Sequence, residues 1–334
     1  MGIGGNCMRK ISVREAINEA LHTVLESDPR TFLMGEDIAR YGGQLRCSYG
    51  LVDKFGESRV RDTPISETAI VGGGVGAALA GMRPIVELSY IDFIGVSFDQ
   101  ILNQAAKIRY MYGGRASVPL VIRTQCGAGL GNAAQHSQSL EAILSHIPGL
   151  RVIMPSTPYD AKGLLLRAVR DNNPVVFIEH KALYNKKGEV PEEPYEVEYG
   201  SDVKKEGKDI TIVSYSAMMN ESLKAADKLE KQNISAEVVD VRVLEPFDAE
   251  TIVNSVKKTG HVVIVHEACK KGGFGAEIAA QIQEKAFSHL KSPIQRVAAP
   301  NVPVPYAKKL EKYFIPDVES IIDAVNKSLT MTKV

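Results

Sequence analysis

A chain of 334 residues, 44% of them apolar, exceeds the usual size of one hydrophobic core, so two globular domains are expected. Forty basic residues balance forty acidic ones without a long single-sign block, which argues against nucleic acid or an anionic membrane surface as the main partner. No run of eighteen apolar residues occurs, and residues 1–7 lack the charged start and apolar stretch of a signal peptide, so neither a membrane span nor secretion is expected.

In chain order, Ser12–Leu25 has a helical apolar period and Thr31–Met34 reads as a strand ending near Glu36. The segment Asp62-Thr-Pro-Ile-Ser-Glu-Thr68 then precedes Gly72-Gly-Gly-Val-Gly76 and a helix over Val75–Ala80. Glu67 therefore stands between a strand end and a glycine-rich helix start. Unpaired N–H groups at such a start hold anions, which makes Glu67 either a carboxylate kept ionised for a ligand or a plain N-terminal cap.

Pro84–Leu88 is the next strand, Asp99–Met111 a helix and Leu120–Arg123 a further strand. The loop Thr124-Gln-Cys-Gly-Ala-Gly-Leu-Gly-Asn-Ala-Ala-Gln-His-Ser-Gln-Ser139 follows, small-residued and able to bring backbone close to a ligand. His136, framed by Gln135, Ser137 and Gln138, suits proton transfer or oxyanion stabilisation, against the plainer reading of a surface histidine. His146, in Ser145-His-Ile-Pro-Gly149, reads as a turn or packing histidine. Val152–Met154, a helix over Asp160–Arg170 and Val175–Glu179 complete the first half. The helix stops at Arg170-Asp-Asn-Asn-Pro174, either a simple breaker or, through Asp171, Asn173 and the last carbonyls, a monovalent-cation site.

A polar, proline-bearing stretch over residues 185–209 marks the boundary, giving domains 1–185 and 209–334 joined by a linker 186–208. Beyond it, strands Asp209–Ser214, Ala236–Asp240 and Val262–His266 alternate with helices Asn220–Gln232, Ala249–Lys257, Gly275–Phe287 and Val318–Leu329. Both halves are thus α/β, with parallel or mostly parallel sheets whose ligands bind at the carboxyl ends of strands. Cys7, Cys47, Cys126 and Cys269 show no metal or disulfide spacing, which fits a reducing cytoplasm. The glycines of Lys270-Lys-Gly-Gly-Phe-Gly-Ala-Glu277 lack dinucleotide spacing, and no phosphate-binding Gly-Lys-Ser/Thr occurs. Nor does any Gly-Asp dipeptide, so the Mg²⁺–diphosphate signature of thiamine diphosphate enzymes is absent.

Asp62-Thr-Pro-Ile-Ser-Glu67, Ala80-Gly-Met-Arg-Pro84, Phe98-Asp-Gln-Ile-Leu-Asn-Gln104, Ala134-Gln-His-Ser-Gln-Ser139, Ile147-Pro-Gly-Leu150, Tyr159-Asp-Ala-Lys-Gly163 and Pro303-Val-Pro-Tyr-Ala307 occur in this order along nearly the whole chain. In this the chain resembles the β subunits of 2-oxo acid dehydrogenase E1 components, of the transketolase superfamily. The resemblance implies a thiamine diphosphate pyrimidine-binding domain followed by a transketolase C-terminal-like domain. It implies an α2β2 heterotetramer whose α subunit supplies the missing Mg²⁺–diphosphate motif, and an E2 lipoyl acyltransferase as partner. Glu67 matches the glutamate that hydrogen-bonds the aminopyrimidine ring nitrogen and activates the cofactor; Leu88 and Phe93 match cofactor-packing positions. His136 matches a histidine that aids reductive acylation of the lipoyl group. Leu120, Ala168, Val169, Asp171 and Asn173 match a potassium site. Asp92-Phe-Ile-Gly95, Arg109-Tyr-Met-Tyr-Gly-Gly114, Pro155-Ser-Thr-Pro-Tyr-Asp160 and Tyr184-Asn-Lys-Lys-Gly-Glu-Val-Pro191 resemble acetoin dehydrogenase β subunits most, with pyruvate or branched-chain 2-oxo acids as alternative substrates. A non-catalytic subunit that docks E2 is the reading from another class.

Overall fold

The computed structural model describes residues 8–331. Contacts divide the chain into two compact units, one of Met1–Cys126 with Ile143–Glu198, the other of Gly127–Ala142 with Tyr199–Val334.

In the first unit, β1 (Met8–Ser12) leads into α1 (Val13–Ser27), whose start is fixed by a reciprocal Ser12–Glu15 capping box. Then come β2 (Thr31–Glu36), α2 (Leu51–Phe55), β3 (Val60–Thr63), α3 (Glu67–Leu79) and β4 (Arg83–Leu88). A 3-10 turn (Ile91–Gly95) and a π-helical segment (Gln100–Ala105) precede α4 (Ile108–Met111). After β5 (Val121–Cys126) and the excursion into the second unit come α5 (Glu141–Ser145), β6 (Arg151–Ile153), α6 (Pro158–Arg170), β7 (Val175–His180) and β8 (Lys187–Pro191). Strands of this unit run parallel in the order β6-β7-β5-β4-β2-β3, while β1 and β8 form a separate antiparallel ribbon. Buried on both faces, these strands are continuous apolar runs, as in Val121 and Ile122 or Val175–Ile178. The order reverses at β2: β3 lies on one side of it and β4 on the other, which opens a crevice at the carboxyl ends of β2 and β4.

The second unit contains β9 (Asp202–Lys205), β10 (Ile210–Ser214), α7 (Met218–Glu230), β11 (Ala236–Asp240), β12 (Val243–Glu245), α8 (Ala249–Thr259), β13 (Val262–Cys269), α9 (Gly275–Ala286), β14 (Gln295–Ala299), α10 (Lys308–Phe314) and α11 (Val318–Thr330). Its sheet has the order β14-β13-β10-β11-β9, parallel throughout except for β9. Helix pairs α7 with α11 and α8 with α9 pack together against it.

The structure departs from the sequence reading at several points. The helix expected over Val75–Ala80 begins at Glu67, because the glycines are helix interior: a Cβ on Gly74 would meet Leu120 and Val86 at 2.9 Å. The helix expected over Asp99–Met111 is broken into the π segment and α4. The polar stretch 186–208 contains β8 and β9. Among the described residues no helix is long and apolar enough to cross a membrane, and none of Cys47, Cys126 and Cys269 is in a disulfide. Cys7 lies outside the described residues.

Candidate active site

In the first unit, Glu67 is the first residue of α3, and Ser66 before it offers no side-chain cap. The half-buried Glu67 carboxylate makes no hydrogen bond among the described residues, so it is not the cap of the plainer reading. Thr68 Oγ1 donates to the Val96 carbonyl at 2.7 Å, fastening the start of α3 to the 3-10 turn that carries Phe93. Phe93 is half-buried, with its ring edge-on to Tyr90 at 6.4 Å, and Leu88 is buried at the end of β4. Glu36, at the end of β2, has its carboxyl raised by burial and then by the neighbouring charges of Asp37 and Glu67. Glu36, Glu67, Leu88 and Phe93 thus gather at the crevice between β2 and β4.

Nearby, the carboxyl ends of three strands carry a buried ion network. Arg123 donates to both oxygens of Glu179, at 2.7 and 2.8 Å, and to Glu87 at 2.6 Å. Gln125 Nε2 donates to the other Glu87 oxygen at 3.3 Å, and Tyr184 donates to Glu179. Burial raises the Glu87 carboxyl, opposed by Arg123 and reinforced by Glu179.

The residues matched to a potassium site lie around the end of α6. The Leu120 carbonyl accepts from Val175 N, and the Arg83 guanidinium donates to the carbonyls of Val169 at 2.8 Å and Asp171 at 3.1 Å. Asp171 accepts from the backbone and side chain of Asn173 and pairs with Arg151; its N–H bonds the Ala168 carbonyl. Arg83 therefore already puts a positive charge on the carbonyls at this helix end.

His136 belongs to the second unit, on the loop that leaves β5. The loop is gripped by acids that sequence reading missed. Glu267, on β13, accepts from Ala128 N at 2.6 Å; Glu311, on α10, accepts from Gly129 N at 2.7 Å and from Gly131 N at 3.1 Å. Gly129 and Gly131 have φ of 103° and 71°, the left-handed backbone that turns successive N–H groups inward to form an anion nest. Ala128 packs with Ala299, Val304, Phe314 and Ile315. Gly127 N closes the loop on the Gln138 carbonyl, and at the far end Glu141 accepts from Tyr215 Oη at 2.9 Å. His136 is half-buried, and the residues that follow it, Ser137, Gln138 and Leu140, line a cavity of about 320 Å³ together with Glu267, Cys269 and Val304. The group that approaches the glycine-rich backbone is thus the protein's own Glu311. The only local signal was the high glycine content; Glu311 lies 182 residues from Gly129 in sequence.

Next to Glu267, His266 is fully buried and stacked on Tyr215, centroids 6.2 Å apart and planes 6° apart. Burial lowers its pKa to about 4, and neither ring nitrogen has a hydrogen-bond partner among the described residues.

Comparison with known proteins accounts for both units. The family model for the transketolase pyrimidine-binding domain matches residues 9–187, and that for the transketolase C-terminal domain matches residues 200–321. The acetoin:2,6-dichlorophenolindophenol oxidoreductase subunit beta of Cupriavidus necator is 48% identical over 96% of this chain and 98% of its own length. The 2-oxoisovalerate dehydrogenase subunit beta of Bacillus subtilis is 47% identical over 96% of this chain and 99% of its own. Among solved structures, a split gene transketolase described as an inactive beta4 tetramer superposes with a TM-score of 0.79 at 26% identity, covering 97% of this chain and 99% of that one.

Proposed function

This chain belongs to the family of E1 β subunits of the 2-oxo acid and acetoin dehydrogenases, and on that premise we propose that its first unit is the pyrimidine-activating half of a thiamine diphosphate site shared with an α subunit. One observation carries the reading: Glu67, Phe93, Leu88 and Glu36 converge at the β2/β4 crevice in a chain without a single Gly-Asp dipeptide. The set fits a planar, nitrogen-bearing ring: an unengaged carboxylate, an aromatic edge, an apolar floor, and a buried Thr63 hydroxyl with no partner among the described residues.

Thiamine diphosphate, when bound, supplies the electron sink that lets the bond beside a carbonyl break and the acyl group be carried. Glu67 exchanges a proton at the aminopyrimidine ring nitrogen. Phe93 and Leu88 hold the ring against Glu67 and exclude water. Magnesium and the diphosphate fall to the α subunit, in an α2β2 assembly in the cytoplasm. His136 donates a proton to a sulfur of the lipoyl ring on E2 as it accepts the acyl group. Acetoin is the substrate, with pyruvate and branched-chain 2-oxo acids as the alternatives. A potassium ion at the end of α6 would share the Val169 and Asp171 carbonyls with Arg83.

The test is coexpression with the α subunit, followed by thiamine diphosphate-dependent oxidation of acetoin, pyruvate and branched-chain 2-oxo acids. Glu67→Ala is expected to lower the rate by about a hundredfold or more; full activity in that variant would sink the reading. The isolated chain is expected to bind the cofactor weakly and the α/β complex tightly with Mg²⁺.

A further inference from the structure

We infer that Glu311, assisted by Glu267, is a positioning residue for acyl transfer: its carboxylate fills the Gly129–Gly131 nest and so fixes the loop that presents His136. The inference rests on His136 acting as the proton donor. Glu311 is only 3% exposed, and its hydrogen bonds to Gly129 and Gly131 N–H place a carboxylate where nests elsewhere hold a free anion. Glu267, 7% exposed, adds a second carboxylate on the preceding N–H, that of Ala128, at 2.6 Å.

Two buried acids thus accept from three loop N–H groups, those of Ala128, Gly129 and Gly131. A loop of small residues contributes little apolar anchorage of its own; here Ala128 is buried, whereas Gly129 and Leu130 are exposed. Hydrogen bonds to ionised acceptors are the strongest available to hold it. The far end is held separately by Tyr215 and Glu141. His136 therefore sits between two anchored ends of one short span. Loosening the first end should blur its position without touching the Glu67 crevice, which is built from other elements.

The α/β complex carrying Glu311→Gln provides the test, because an amide keeps the volume but removes the charge and leaves one accepting oxygen, with its NH2 facing the Gly131 N–H that now bonds the second carboxylate oxygen. A second variant, Gly131→Ala, attacks the same nest from the loop side, where φ is 71°. Two readouts are taken on each: amide hydrogen exchange over residues 127–142, and two activities. One activity uses a dye as electron acceptor and needs no lipoyl group; the other measures transfer to a lipoyl domain. Both variants are expected to exchange about tenfold faster across 127–131 and to lose about tenfold in lipoyl transfer, with dye-coupled turnover within about twofold of the parent. Unchanged exchange, or equal loss in both activities, overturns the positioning role. His136→Ala separates the two levels. If it abolishes lipoyl transfer while the loosened Glu311→Gln transfers normally, the inference alone fails; if it transfers normally itself, the proton-donor reading fails and the inference falls with it.

Discussion

Arg123 is 1% exposed and faces two carboxylates, Glu87 and Glu179, that are themselves 4% and 2% exposed. Such a pair or triad adds little net stability over a well-packed apolar set, because desolvation consumes much of the Coulombic gain. Removing one member is different, since it strands the others. Arg123→Leu should lower unfolding free energy by about 3–5 kcal/mol, read from urea denaturation of the purified chain. Combining it with Glu87→Gln and Glu179→Gln should recover part of the loss; no recovery would mean the cost is packing rather than stranded charge. None of this could be read along the chain, because Arg123 lies 36 residues from Glu87 and 56 from Glu179, on separate strands. Glu67 was legible for the opposite reason: its strand end and helix start are neighbours in sequence. Its lack of a role as cap was not, since that depends on the helix beginning at Glu67 itself, with Ser66 in the cap position.

At the level of elements, the β13–α9 connection wraps a histidine that titrates far from its ordinary range. His266 lies within β13 against Gly275, the first residue of α9, where a Cβ would come within 2.4 Å of the ring. Burial holds its folded pKa at about 4 against an ordinary value of 6.5. The unfolded chain therefore takes up a proton below pH 6.5 that the folded chain refuses until about pH 4. Stability is lost as pH falls through that window, by about 3 kcal/mol in all. His261, also lowered by burial, adds to the same slope. Thermal unfolding from pH 7 to pH 4 should fall less steeply in His266→Phe than in the parent; parallel curves would remove His266 from the account. Apolar periodicity located β10, β11 and most of the helices, because buried parallel strands and amphipathic helices write their burial directly into sequence. It lost the start of α3, where three consecutive glycines read as a turn. It also lost β1, β8 and β9, whose charged residues carry no continuous apolar run.

On the scale of the whole molecule, the chain passes between the two units at 126/127, 142/143 and 198/199. A fragment ending at residue 198 would keep the loop 127–142 but none of Tyr215, Glu267 or Glu311 that hold it. Limited proteolysis should cut such a fragment within 127–142 while sparing the full chain there; equal resistance would show that the acids are dispensable. Composition and alternating elements were enough to announce two α/β units. They placed the boundary at the polar stretch and did not reveal the earlier excursion, because a short glycine-rich loop has the same composition whichever core it joins.

That excursion also bears on how relatives of this chain can exchange parts. A crossover at 198/199 joins the first unit of one parent to the second of another, yet the His136 loop travels with the former and its carboxylate clamps with the latter. The seam that looks cleanest in sequence therefore divides a lock from its key, and hybrids made there will function only where the two parents agree on both.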